Sequence, residues 1–126
     1  MELNEYQQKA MGTCMPSCKN FSYMFLNLVG EVGEFSSKVA KLIRKEDAHI
    51  GSTCPERAGN SELYIDDSEG FADMVELGKE AGDILWQLAG LCHVMGWDLE
   101  DVAQQNLRKL ASRKERGVID GNGDNR

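Results

Sequence analysis

Proline is nearly absent from this chain, with 2 in 126 residues, and aromatic side chains make up only 7%. That scarcity argues against an extended proline-rich ligand segment and against a large aromatic cage. No run of about 18 apolar residues occurs, so no membrane-crossing helix is expected. The segment Met1 to Lys9 is polar and acidic and lacks the basic-then-apolar order of a secretion signal, which points to a cytoplasmic address. A basic surplus is missing too: 14 Lys and Arg stand against 21 Asp and Glu, a formal charge of −7. Nucleic-acid backbones are held by cations that neutralise phosphates, so neither nucleic acid nor membrane is an expected partner. A small anionic substrate stays open if something cationic waits in its site, and a bound metal would serve. Cysteine pairs are lacking as well. Cys14, Cys18, Cys54 and Cys92 are irregularly spaced, which suits reduced thiols and not the paired spacing of a structural zinc site.

What is present is a hydrophobic share of 41%, enough for one packed core. Leu3, Tyr6 and Ala10 give a short helix that Gly12 and Pro16 end. From about Asn20 to Lys45 the apolar residues Phe21, Met24, Phe25, Leu28, Val32, Phe35, Val39 and Leu42 recur in steps of three and four, the mark of an amphipathic helix. Residues 46–67 are polar, with Gly51, Pro55 and Gly59 and no sustained period. So long a connection reads as a lid, a mobile loop or a crossover between subunits. Ser68 suits the N-cap of a second long helix, with Leu77, Ala81, Ile84, Leu88, Leu91 and Met95 on one stripe and Gly96 as its stop. Trp97 reads as a packing anchor in the turn. Asp98 suits the N-cap of a last helix, with Asp101 in its first turn, Val102, Leu107 and Leu110 inward, and Gly117 at its end. The expected fold is all-α, an antiparallel helical bundle with two long helices, completed by oligomerisation. The domain covers 1–117, and 118–126 is a flexible C-terminal tail.

Each long helix carries one acidic pair three residues apart: Glu31 and Glu34, then Glu80 and Asp83. A rotation of about 100° per residue places Glu31 and Glu80 about 60° from their stripe centres, with Glu34 and Asp83 about 120° away on the same rotational side. If the helices run antiparallel, as neighbours in small bundles usually do, all four acids come to one edge of the seam; if parallel, they part. Two like charges 4 Å apart repel by roughly 4 kcal/mol at an effective dielectric of 20, so such a cluster either takes up protons or holds a cation. Carboxylates without His or Cys suit Mg²⁺, or Mn²⁺, better than zinc. The plainer reading is two solvated acidic faces. Gly30, Gly33, Ala81 and Gly82 beside the acids favour the cluster, because they leave room for a ligand or another backbone to approach.

The segment Leu28-Val29-Gly30-Glu31-Val32-Gly33-Glu34-Phe35, followed by Glu80-Ala81-Gly82-Asp83-Ile84-Leu85-Trp86, resembles the MazG-like all-α nucleoside triphosphate pyrophosphohydrolases. Asn106-Leu107-Arg108-Lys109-Leu110, Arg113 and the ending Gly123-Asp124-Asn125-Arg126 are similar to phage-type and bacterial members. The resemblance covers roughly residues 20–45 and 74–126. It implies that Glu31, Glu34, Glu80 and Asp83 hold Mg²⁺, that Glu34 orients the attacking water as general base, and that a nucleoside triphosphate is cut to monophosphate and pyrophosphate. It also implies a homodimer or homotetramer in a nucleotide-pool housecleaning role. Lys109 and Arg113, four apart on one helix face, would meet phosphates, Asn106 a phosphate or the sugar, Trp86 a wall of the nucleotide pocket, and Lys38 a phosphate. Two positions depart from the common pattern: Gly30 replaces an extra acid, and Gln87 replaces an aromatic. Two rivals remain. One is a non-enzymatic helical interaction module; the other is a carboxylate di-iron bundle, which usually supplies Glu-x-x-His pairs that are missing here.

Overall fold

The structure, a computed structural model, describes residues 1–51, 62–65 and 70–126. Four helices carry the fold: α1 (Leu3–Met11), α2 (Phe21–Arg44), α3 (Gly70–Val94) and α4 (Leu99–Glu115). A 3-10 turn, Pro16–Cys18, joins α1 to α2. The expected all-helical bundle is therefore found, with one addition. Strands β1 (Ala48–Gly51) and β2 (Glu62–Ile65) pair antiparallel, Ala48 opposite Ile65 and Gly51 opposite Glu62. Strands of four residues are too short to impose a readable period, which is why the connection looked featureless. The expected cap at Ser68 and the thiol of Cys54 lie outside the described residues. Among the described residues, no helix is long and apolar enough to cross a membrane.

The chain divides into two compact units, Met1–Met24 with Ala89–Arg126, and Phe25–Leu88. In the first unit, Ala89, Cys92 and Leu99 form a buried cluster with Tyr6 and Val102 against it. A Cβ at Gly90 would overlap the end of Met24, itself fully buried, so the glycine is a packing requirement there. Gln7, buried in α1, donates from Nε2 to the carbonyls of Ala89 and Trp97 at 3.2 and 3.0 Å and accepts from the Leu99 N–H at 3.0 Å. Asn4 accepts from the Glu100 N–H at 2.9 Å. Thus α1 caps α4. Asp98 has the extended backbone of an N-cap, but its side chain makes no capping bond, because the orphan amides already have partners from α1. Cys14, Cys18 and Cys92 are free and buried thiols.

The C-terminal ends of α2, α3 and α4 follow one device. Gly96 and Gly117 adopt φ of 74° and 69°, and the amides beyond them, Trp97 and Val118, reach back to the Cys92 and Arg113 carbonyls at 2.8 and 2.9 Å. These are the Schellman closures that the two glycines predicted. At the end of α2 the same closure, Asp47 N–H to the Leu42 carbonyl at 2.9 Å, is made around Glu46, whose φ is 61°.

The second unit holds the middle of the long helices. Asn27 meets Gln87 and Lys38 meets Glu80, so numbers rise along α2 as they fall along α3. The helices are antiparallel. The buried face of α3 is rotated from the expected stripe: Leu77, Glu80 and Gln87 are buried, whereas Ala81, Leu88 and Met95 are exposed. The rotation is possible because Glu80 and Gln87 find polar partners on α2. Leu107 (61% exposed) and Leu110 on α4 do not face inward as expected, and Trp97 is half exposed and no anchor. Phe25, Leu26, Val29, Val32, Met74, Val75 and Leu85 are also exposed on the long helices.

Candidate metal centre

Antiparallel packing brings one acid of α2 and two of α3 together. One carboxylate oxygen each from Glu31, Glu80 and Asp83 lies within 4.8 Å of the others. Glu80 is only 7% exposed, Glu31 is half-buried and Asp83 faces solvent. Glu34, expected as a fourth ligand, is not in this group. It is exposed one turn along α2, near enough for its charge to be felt at Glu31.

Three carboxylates at this spacing repel, and the structure shows how they are held. Burial pushes the Glu31 carboxyl above its ordinary value of 4.5, and the charges of Glu34 and then Asp83 push it further. Asn27 pulls it back by donating from Nδ2 to Glu31 Oε1 at 3.1 Å, and Glu80 adds a smaller upward push. The same Asn27 amide donates to Gln87 Oε1 at 2.8 Å. Lys38 pairs with Glu80 Oε1 and holds its own proton more tightly because of that bond. The other oxygen, Glu80 Oε2, is buried without a hydrogen-bond partner. A sealed carboxylate oxygen lacking a donor is costly unless a cation meets it. That orphan, in an all-oxygen donor set with no histidine, fits Mg²⁺ or Mn²⁺.

Asn27 and Gln87 were missed as site residues. The signal was present: Asn27 lies four before Glu31 and Gln87 four after Asp83, one turn outside each acid on the same faces. Gln87, which departs from the usual aromatic, is 1% exposed and serves this network. Among the described residues, no atom lies within 4 Å of a Cβ at Gly33, Gly78 or Gly82, so these glycines leave open space beside the acids. Trp86 is half-buried.

The other expected residues sit in the first unit. Asn106 and Lys109 line an open groove of about 590 Å³ along α4 with Trp97, Asp98, Asp101 and Gln105. Arg113 is buried, and its Nη2 donates to Asp124 Oδ1 at 3.0 Å, with Lys109 Nζ 3.4 Å from the same oxygen. Where the sequence suggests a flexible tail, residues 118–126 turn back on α4. Arg126 Nε donates to the Val118 carbonyl at 3.0 Å, and Arg116 Nη2 to the Arg126 carbonyl at 2.7 Å.

Comparison with known proteins then bears on this geometry. The family model described as MazG nucleotide pyrophosphohydrolase domain matches residues 19–118. The Gene 37 protein of Mycobacterium phage L5 is 41% identical over 115 residues, covering 91% of this chain and 83% of that protein. No solved structure matches the chain.

Proposed function

The chain belongs to the MazG nucleotide pyrophosphohydrolase family, and from that premise we propose that it hydrolyses (deoxy)nucleoside triphosphates to monophosphate and pyrophosphate with Mg²⁺, as a nucleotide-pool housecleaning enzyme. The observation that carries the proposal is the buried, partnerless Glu80 Oε2 beside Glu31 and Asp83. Those three residues would hold the ion, with Glu34 at its rim, and a divalent ion there supplies charge neutralisation for phosphate oxygens and a more acidic water.

The rest of the work falls to the chain. Phosphoryl transfer depends mostly on positioning and charge. Asn27 fixes the Glu31 carboxylate through a hydrogen bond anchored on buried Gln87. The exposed carboxylate of Glu34 takes the proton of the attacking water as the bond from the α-phosphorus to the leaving pyrophosphate breaks. Lys38 supplies positive charge next to Glu80, and Trp86 walls the base. In the other compact unit, Lys109, Arg113 and Asn106 offer cationic and amide groups suited to phosphate and sugar oxygens. The exposed apolar side chains of α2 and α3 form a homodimer or homotetramer interface, since so much uncovered apolar surface on a small chain marks an interaction site.

A screen of the eight common ribo- and deoxyribonucleoside triphosphates for pyrophosphate release tests the reading. We expect Mg²⁺-dependent turnover by the wild type and its collapse in Glu34→Gln and Glu80→Gln variants that remain folded. No release from any nucleotide, with Mg²⁺ or Mn²⁺, would favour the non-enzymatic interaction module.

A further inference from the structure

Arg113 and Lys109 lie four residues apart, on one face of α4, and both point at a single acceptor, Asp124 Oδ1. Arg113 is 5% exposed, and its Nη2 also donates to the Asp124 carbonyl at 3.3 Å. Its Nε is sealed from solvent and has no partner. A guanidinium presents Nε and Nη2 as one edge of a fork that matches two oxygens of a carboxylate or phosphate. Here the carboxylate takes only one tine. An oxyanion with three or more oxygens would satisfy the set better: one oxygen between Nη2 and Lys109 Nζ, another on Nε.

Asp124 is a weak occupant. Its side chain is 84% exposed and that of Lys109 43%, so water competes for the carboxylate and weakens that pair. It is carried on a strap that starts at Gly117, beyond the closure of α4, and folds back through the Arg126 bonds to the Val118 and Ile119 carbonyls. Beside it, the groove shared by Lys109, Asn106 and Trp97 gives room for whatever else the oxyanion is attached to.

We infer that the Arg113–Lys109 pair is an oxyanion site occupied by an internal surrogate, Asp124, and that the C-terminal strap competes there with the phosphate chain of the ligand. The identification of that ligand as a nucleoside triphosphate rests on the function proposed above; the competition itself does not. The strap is therefore an autoinhibitory contact: the site takes pyrophosphate or triphosphate only after Asp124 leaves.

The test is calorimetric titration of inorganic pyrophosphate, with EDTA present so that no metal bridges it to the acidic cluster, into the full chain and its Asp124→Asn and Lys109→Gln variants. Apparent affinity falls by the fraction of molecules in which the site is open, so a strap closed nine-tenths of the time predicts roughly tenfold tighter binding by Asp124→Asn. Lys109→Gln should bind more weakly than the wild type. Hydrogen exchange on the wild type should show residues 118–126 losing protection when pyrophosphate is added. Binding by Asp124→Asn that is unchanged or weaker, protection that stays or rises, or no pyrophosphate binding by any of the proteins would each overturn the inference. Failure to hydrolyse nucleotides would not, because no step of this measurement depends on turnover.

Discussion

Replacing Asp83 by Asn removes one charge from the cluster while keeping its shape, and its effect on stability has opposite signs with and without metal. Two unit charges 4.8 Å apart, the outer limit of separation in the cluster, repel by about 3 kcal/mol at an effective dielectric of 20. Three such pairs bring the total to roughly 10 kcal/mol, part of which the Lys38 ammonium offsets. Asp83 faces solvent and is screened by salt, so its share is smaller, about 1–2 kcal/mol. In EDTA the Asp83→Asn variant should therefore melt higher than the wild type, by roughly 4–8 °C for a chain of this size. With Mg²⁺ at about a hundred times its dissociation constant, the wild type should gain about 2.7 kcal/mol, and the variant much less. Scanning calorimetry in EDTA and in Mg²⁺ reads all four values. A variant that is less stable in EDTA, or that gains as much from Mg²⁺ as the wild type, would refute the reasoning.

Three further outcomes follow from particular residues. The folded-state proton affinity of Glu31 is raised, so metal must displace a proton there at higher pH than at an ordinary glutamate. Mg²⁺ affinity should fall as pH drops through a window opening above 4.5, and metal-free stability should fall as pH rises through that same window, because the native state binds more protons than the unfolded one. Glu46 holds a left-handed backbone that costs a side-chain-bearing residue about 1–2 kcal/mol, so Glu46→Gly should raise urea-unfolding stability by about 1 kcal/mol; a loss would show that the Glu46 side chain matters more than its φ. Asn27→Ala should destabilise by about 1–2 kcal/mol by stripping a donor from buried Gln87, and should weaken Mg²⁺ binding as well; an effect on stability alone would remove Asn27 from the site.

Much of this was legible in the residues. Leu3 at the start and Gly12 as the break bracket helix α1 as found, and Gly96 and Gly117 read as stops because glycine readily takes the left-handed backbone that closes a helix. Rotation arithmetic brought the acids to one edge of the seam on the condition of antiparallel helices, which the habit of neighbours in small bundles supplied; three of the four, Glu31, Glu80 and Asp83, meet there. Three features resisted it. An apolar count on α3 chose Leu88 and Ala81 as inward because it could not see that Gln87 and Glu80 have buried partners waiting on α2. The caps of α4 come from Gln7 and Asn4, more than ninety residues away in sequence and therefore outside any local rule. The turning back of the last residues depends on Arg126 reaching carbonyls near the end of its own chain, which no periodic pattern announces.

The central claim is that Glu31, Glu80 and Asp83 hold a divalent ion. Mn²⁺ titration followed by electron paramagnetic resonance, on the wild type and on Glu80→Gln, addresses it without any substrate. The account predicts saturable binding by the wild type and a loss of at least about tenfold in affinity in the variant, since even residues behind metal ligands commonly matter that much. Equal Mn²⁺ affinity in the two folded proteins would contradict it.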